Sequence, residues 1–489
     1  MTPEDIARNF QFRAGFRLVD YGEVGLPVFR LTLEAVTMAH RTMPTIQEFS
    51  MRCLALGETL EPDVARMLGL KVEVIQGAMN ALIGDGYVAR QPGAGDTQVF
   101  RLTDAGEERL RQDRDEVPQE EMLVVDYDGI RRMALRLTGE SVVRASELQN
   151  SGAVQIRPYP AEAPNVDELT IPDVAKVIRR QRGEDFQRTV LALKRVVRRN
   201  NVFREAVALV FVSEASDEVQ LAFVIDGKLS EPHERAFAEN GGPRKMGFVR
   251  AVAGVDRRKK LERLVGRTMM SRLPDPAAIN QVRAEEAEAI SAIASIRPVA
   301  ERVVGKARQT DPAVQALSEA VERCELARHK LNLFEVRPLA CFEQLELLDE
   351  ALKEARQSLM ITSAGLQSVI VHGARLRAID QLAATNVRVD IETMLAPQTT
   401  PRGGDHYDPL AELSKRAERG SLILRKGRAR DFYFLIQDDD LAVISNRPFL
   451  GDVARRTGFT CIEGLVTRRP ELVIQIRRLL TQEPERRAR

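Results

Sequence analysis

The sequence predicts a multidomain protein of mixed class: a small α+β domain near the N-terminus, a mixed α+β and helical middle, and a C-terminal α/β domain. Three observations lead there. The chain has 489 residues, enough for roughly three domains at about 150 residues each. Between residues 45 and 110 three helical patterns run into a two-strand pattern. From 335 to 482 helical and strand patterns alternate, and that alternation predicts a sheet covered by helices.

Taken in order, "TIQEFSMRCLALG" reads as a helix and "EPDVARMLGL" as a shorter one ending at Gly69. "KVEVIQGAMNALIGDGYV" reads as a third, with Val72, Ile75, Met79, Leu82 and Ile83 on one face at helical spacing. It stops at Gly84 and Gly86. "YVARQ" and "TQVFRLT", joined by a turn over residues 92–96, read as a β-hairpin, and "DAGEERL" closes as a helix. The order and the ending "LIGDGYVAR…FRLTDAGEERL" resemble a winged helix-turn-helix domain of the kind common in bacterial transcription regulators. That resemblance implies a third helix that enters the major groove. Its outward residues here are Lys71, Glu73, Gln76 and Asn80. Gln76 and Asn80 suit adenine edges, while Arg90 and Arg101 on the hairpin suit phosphates. The competing reading is a winged helix used for protein contact.

Loop-rich joints are expected at residues 112–121 ("QDRDEVPQEE") and 157–168 ("RPYPAEAPNVDE"), and residues 396–409 ("APQTTPRGGDHYDP") read as a long loop inside the last domain. Between Lys176 and Arg204 ten Lys and Arg face only Glu184 and Asp185, a net of +8. Phe186, Val190, Leu193 and Val197 share a face at helical spacing, so the segment reads as a basic amphipathic helix. Arg188, Lys194, Arg195, Arg198 and Arg199 then form a candidate nucleic-acid or acidic-partner surface. The bland alternative is a solvated face with cations near a helix C-terminus. "EAVALVFVSEASDEVQLAFVID" reads as two strands joined at Ala215–Asp217. "NGGPRKMGF" reads as a basic glycine-rich loop without the spacing of a phosphate-binding loop, and "VDRRKKLERLVGR" as a second basic segment. Asp275-Pro276 and Asp311-Pro312 are helix starts, and they predict a helical hairpin with a bend at Pro298.

The C-terminal alternation resembles one half of a phospholipase D-like domain. The family's motif, H-x-K-x(4)-D, lies on a strand and is followed by a second strand ending near Gly-Ser and Asn. The resemblance implies that two such motifs meet, by duplication or dimerisation, with the histidines as nucleophile and acid and the lysines holding phosphate. Here the histidine position is Asp431 and the lysine position is Tyr433. Only Asp438 matches, and the Gly-Ser stretch falls at Ser445 and Asn446. A carboxylate at the nucleophile position repels a phosphodiester, and a phenol supplies no positive charge for the transition state. The resemblance therefore implies the fold and argues against the activity, so no catalytic residue is assigned. His372 and His406 read as ordinary surface histidines. Asp405, His406, Asp438 and Asp439 have no spacing that demands a metal. Arg425, Lys426, Arg428, Arg430, Arg447, Arg455 and Arg456 flank the acidic corner and suit a phosphate-rich ligand that is held but not cut.

Composition bounds the partners. The chain is 44% hydrophobic and 29% charged, with a net charge of +1, so no whole-chain field draws it to nucleic acid. Cys53, Cys324, Cys341 and Cys461 form neither a metal pair nor a disulfide framework. The absence of an apolar run of about 20 residues argues against a membrane span, and the start MTPEDIARNF lacks the pattern of a signal peptide. A cytoplasmic location is expected. So is a division into residues 1–120, 121–275, 276–334 and 335–489. The expected role is a non-catalytic nucleic-acid-binding regulator or sensor. Its degenerate phospholipase D-like domain would dimerise or recognise a ligand, and no cofactor is expected. Two alternatives remain at this point: a protein-interaction component of a bacterial anti-phage or anti-plasmid defence system, and a phosphodiesterase or nuclease with a remodelled site. DNA, a partner protein and a second copy of the chain are the candidate partners.

Overall fold

The computed structural model describes all residues except 1, 42, 94–97, 112–114, 138–141, 183–188, 254–255, 304–310, 395–406, 429, 452–457 and 487–489. They group into two compact units that are discontinuous along the chain. One comprises Met1–Pro27, Glu140–Tyr159 and Val202–Arg489; the other comprises Val28–Gly139 and Pro160–Asn201. The expected division at residues 120, 275 and 334 is linear, whereas these units are not. The reason is that two very long strands, Phe16–Arg41 and Thr189–Ser213, contribute to both.

The smaller unit holds the predicted helical-plus-hairpin domain between two strands of a sheet. Thr45–Ala55, Glu61–Leu68 and Val72–Gly84 are helices, Val88–Pro92 and Gln98–Leu102 pair antiparallel, and Asp104–Arg111 closes the domain as a helix. This is the element order of a winged helix. Ile75, Met79 and Leu82 are buried, as the 3.6-residue spacing requires, and pack with Met51, Val64 and Phe100. Gly69 ends the second helix with φ +64°, a left-handed cap that favours glycine. The domain lies in the chain between Phe16–Arg41 and Asp115–Asp128, which pair antiparallel from Val28↔Asp128 to Arg41↔Asp115. The loop expected at residues 112–121 is thus strand from Asp115 onward. Pro118 pairs with Met38 inside it, although proline lacks the N–H of a ladder and is usual only at edges and bulges. Phe29, Leu31, Leu33 and Ala35 alternate inward with Leu123, Val125 and Tyr127, beneath the helix Ile171–Arg182.

That helix ends at Arg182, and Thr189–Ser213 is a 25-residue strand. The basic amphipathic helix expected across residues 176–204 is therefore corrected. Thr189, Val190, Val196, Val197 and Val202 are β-branched and favour extended backbone, and Phe16–Arg41 is the neighbouring strand that receives this one.

In the larger unit, Thr189–Ser213 pairs antiparallel with Val219–Ile225, as the sequence suggests. The "NGGPRKMGF" stretch is not an open loop but contains a helical turn, Gly242–Lys245. The helices Pro276–Ala300 and Pro312–Leu333 form the predicted hairpin. Asp275 and Asp311 cap them by accepting from the backbone N–H of Ala277 and Ala313. Pro298 lies inside the first.

The C-terminal region is a seven-stranded mixed sheet. Its order is Arg337–Pro338, Gly464–Thr467, Leu441–Ser445, Tyr433–Gln437, Ser358–Thr362, Arg388–Thr393, Ile423–Lys426. Ser358–Thr362 and Arg388–Thr393 are parallel, and Tyr433–Gln437 is antiparallel to both its neighbours. Alternate residues serve opposite cores. Tyr433, Leu435, Leu441 and Val443 pack under the helices Gln344–Glu354 and Gly373–Ala384. Phe432, Phe434, Ile436 and Ile444 pack with Leu261, Val265, Val473 and Ile476 from the helices Arg257–Val265 and Pro470–Arg486. Tyr433–Gln437 and Leu441–Ser445 are buried on both faces, which explains their near-continuous apolar text.

Candidate functional site

Three places carried functional expectations: the acidic corner of the C-terminal sheet, the outward face of the third helix in the smaller unit, and the basic segment from Arg188 to Arg199. In the corner, register places Tyr433 opposite Ser445 at one end of the paired strands and Gln437 opposite Leu441 at the other. Asp438 is therefore at the far end of the strand from Asp431 and Tyr433.

Asp438 is 6% exposed and is a backbone clamp. Its carboxylate accepts from the N–H groups of Arg356 at 2.8 Å, Gln357 at 2.8 Å and Ser358 at 2.6 Å. Its φ of +45° is unusual for a residue with a side chain, though aspartate tolerates it better than most. Its neighbour Asp439 pairs with Arg477 at 2.9 Å. These two carboxylates are committed to other partners, and Asp405 and His406 lie outside the described residues. Among the described residues, no group of three or more His, Cys, Asp and Glu could hold a metal. His372 is the N-cap of Gly373–Ala384, with Nδ1 accepting from the Ala374 N–H at 3.3 Å.

At the other end, Asp431 is half-exposed and pairs with Lys260 at 2.9 Å. Tyr433 is 5% exposed, within an apolar core. Ser445 Oγ donates to Gln344 Oε1 at 2.9 Å and accepts from the Arg447 N–H at 3.0 Å. Asn446 Nδ2 donates to the Cys461 carbonyl at 2.8 Å, and its Oδ1 accepts from the Glu463 N–H at 3.0 Å. Ser445 and Asn446 thus hold backbone in place.

The chain's own N-terminal stretch lies across this end. The Val19 carbonyl accepts from the Ile462 N–H at 3.0 Å. Asp20, fully buried, accepts from the Thr460 N–H at 2.8 Å and lies 3.5 Å from Arg447. Arg17 pairs with Glu463.

A buried ionic cluster adjoins this end. Arg8, 1% exposed, pairs with Glu346 at 2.5 Å and lies 3.8 Å from Glu286. Glu343 accepts from Arg337 at 2.6 Å and from the Ala340 N–H at 3.0 Å, with Arg283 3.9 Å away. Burial pushes the Glu343 carboxyl up, yet Arg337 and Arg283 outweigh it and hold the group below the usual carboxylate range. Burial raises the Cys341 thiol well above its ordinary value. Sequence reasoning missed this cluster, because Arg8 is 338 residues from Glu346 and the helix carrying Arg283 and Glu286 is separated from Arg337 and Glu343 by a second helix.

The arginines expected to hold a phosphate-rich ligand are largely neutralised. Arg425 lies 3.0 Å from Asp390, Arg430 2.8 Å from Glu392, and Arg447 beside Asp20. Lys426 and Arg428 are exposed. Arg455 and Arg456 lie outside the described residues.

On the helix Val72–Gly84, Glu73, Gln76 and Asn80 are exposed, as is its N-cap Lys71. Arg90 Nη2 donates to Asn80 Oδ1 at 3.2 Å, with the guanidinium 5.5 Å from the centre of the Phe100 ring. Hairpin and helix are thereby joined, and Asn80 is partly engaged. Arg101 is exposed. The basic strand is less available than its composition suggests. Lys194 bonds Glu120, and Arg195 bonds Glu34 at 2.7 Å. The bond to Glu120 raises the Lys194 ammonium, and the same bond lowers Glu120. Arg198 donates to Asn200 and Arg199 to Asn165, both neutral partners. Arg188 lies outside the described residues.

No protein-family model matches the chain, and no curated protein matches it. The solved structures it is similar to include the following three, each at low identity. One is TrmBL2, an archaeal chromatin protein described as showing a novel mode of DNA binding: 18% identity, 35% of this chain, 61% of that one, TM-score 0.23. Another is NucT from Helicobacter pylori: 16% identity, 31% of this chain, 97% of that one, TM-score 0.22. The third is phosphatidylserine synthase from Haemophilus influenzae Rd KW20: 13% identity, 41% of this chain, 53% of that one, TM-score 0.21. The chain thus spans less than two thirds of the first and third.

Proposed function

We propose that the protein is a non-catalytic nucleic-acid-binding regulator or sensor, in which the winged helix engages duplex DNA. The C-terminal domain then serves as a degenerate phospholipase D-like scaffold for dimerisation or ligand recognition, in a cytoplasmic setting. The observation that supports DNA binding best is the outward set Lys71, Gln76 and Arg101, exposed on one helix and its hairpin. Those residue types suit phosphates and base edges. The observation that argues against turnover is the pair of substitutions at the motif, Asp431 bound to Lys260 and Tyr433 buried in a core. A remodelled phosphodiesterase is accordingly the least favoured reading.

A second reading has its own support. Leu56, Met67, Leu70 and Val74 are exposed hydrophobics on and around the same three helices. An apolar face of this kind suits protein contact better than a phosphate backbone. On this reading the chain is an interaction component of a multi-protein system, such as anti-phage or anti-plasmid defence. The experiment that separates the two is a fluorescence-anisotropy titration of labelled mixed-sequence duplex. Lys71→Ala with Arg101→Ala should weaken binding if the helix reads DNA. A Met67→Glu, Val74→Glu variant that instead loses a co-purifying protein, with no DNA binding in the parent, would favour the adaptor.

A further inference from the structure

We propose that the cleft between the helices Gln344–Glu354 and Gly373–Ala384 is a binding site for a small phosphate-bearing ligand. It concerns the ligand-recognition role of the C-terminal domain and is independent of the DNA reading. The cleft encloses about 700 Å³, within the range of roughly 300–1,000 Å³ usual for small-molecule sites. Its floor is apolar, with Leu352 buried. Its charge has one prevailing sign: Lys353, Arg356 and Arg375 line it against the single carboxylate of Asp349.

That carboxylate is already matched. Arg375 Nε and Nη2 donate to Asp349 at 2.6 and 2.8 Å, and Nη1 donates to the Ile370 carbonyl at 3.0 Å. Lys353 and Arg356 are exposed and have no carboxylate partner among the described residues. They differ in this from Arg425, Arg430 and Arg447, each with an acid beside it. Two uncompensated cations over a concave apolar floor concentrate positive potential there. Such a site favours a phosphate, which accepts several charge-assisted hydrogen bonds. His372 also lines the cleft, and its Nδ1 accepts from the Ala374 N–H.

Asp438 gives the site its rigidity. It bonds the backbone N–H of Arg356 and of the two residues after it. Arg356 therefore projects from a clamped segment, not a free loop. Asp438 thus holds the backbone from which a cation projects, at the end of the strand away from Asp431 and Tyr433.

The test is isothermal titration of the full chain with pyrophosphate and, separately, with adenosine monophosphate. The comparison variants are Lys353→Glu with Arg356→Glu, and Ala374→Trp, which adds bulk at an exposed cleft position. Saturable one-site binding of either compound, weakened roughly tenfold or more in both variants, is expected from the loss of charge-assisted bonds and of space. Tighter binding of the nucleotide would show that the apolar floor holds a ligand body; equal binding would show that the phosphate alone is recognised. Thermal unfolding of each variant at the parental midpoint establishes that folding is intact. No saturable binding of either compound, or binding indifferent to both variants, would overturn the proposal whatever the outcome of DNA titrations with Lys71→Ala and Arg101→Ala.

Discussion

Single residues decide how the acidic corner is understood. Asp438 is the one position that matches the motif of the phospholipase D-like domains that the sequence resembles, yet its bonds go to three backbone N–H groups. Removing the carboxylate leaves those donors unsatisfied in a mostly buried place, at about 3 kcal/mol. Asp438→Ala should lower the denaturation midpoint accordingly, and Asp438→Asn, which keeps one acceptor and tolerates the positive φ, should recover part of it. Equilibrium unfolding in urea measures both. Glu343 acts through charge. Its carboxyl is held below the usual range by Arg337 and Arg283 despite burial, so it favours the folded state fully above the unfolded value of about 4.3. That contribution is lost as pH falls through the lower folded value. Stability should decline in that acidic window, and Glu343→Gln should flatten the decline in a pH series of thermal melts. The identities of Asp431, Tyr433 and Asp438 were all legible in the sequence. Their partners were not legible, because Lys260, the core around Tyr433 and the clamped backbone come from distant segments.

At the scale of elements, periodicity located the three helices and hairpin of the smaller unit and the helix–strand alternation of the C-terminal sheet well. Both are built from local signals: caps, left-handed glycines and 3.6- or 2-residue spacing. The same reasoning mistook residues 189–204, the first part of the strand Thr189–Ser213, for helix, because Val190, Leu193 and Val197 also fit a helical period. Only the neighbouring strand Phe16–Arg41 decides between them, and pairing across such a separation leaves little local trace. Lys194 and Arg195 changed meaning with it, from a free basic face to cross-strand partners of Glu120 and Glu34. A packing constraint inside the winged helix gives this scale its prediction. A Cβ on Gly106 would lie 2.1 Å from the Tyr87 carbonyl oxygen, which is backbone and cannot turn aside. Gly106→Ala should therefore force the helix Asp104–Arg111 off its seat at about 1–3 kcal/mol. Amide hydrogen exchange should show the loss of protection in residues 87–111, with the C-terminal sheet unchanged.

For the molecule as a whole, the discontinuity of the units matters more than the sum of its parts. The helix-turn-helix pattern is contiguous and was read as one domain, whereas the sheet that brackets it draws on segments separated by the whole pattern. With a net charge of +1, any affinity for nucleic acid must come from a local face, and the central claim is that this face is the winged helix. The measurement that tests it most directly is anisotropy of a labelled mixed-sequence duplex titrated with the full chain across a salt series. The account predicts saturable binding that weakens as salt rises, with a log–log slope near −3 if Lys71, Arg90 and Arg101 each meet a phosphate, and a slope shallower by about one unit in Arg101→Ala. No binding at low salt, or binding whose slope is the same in Arg101→Ala, would contradict it.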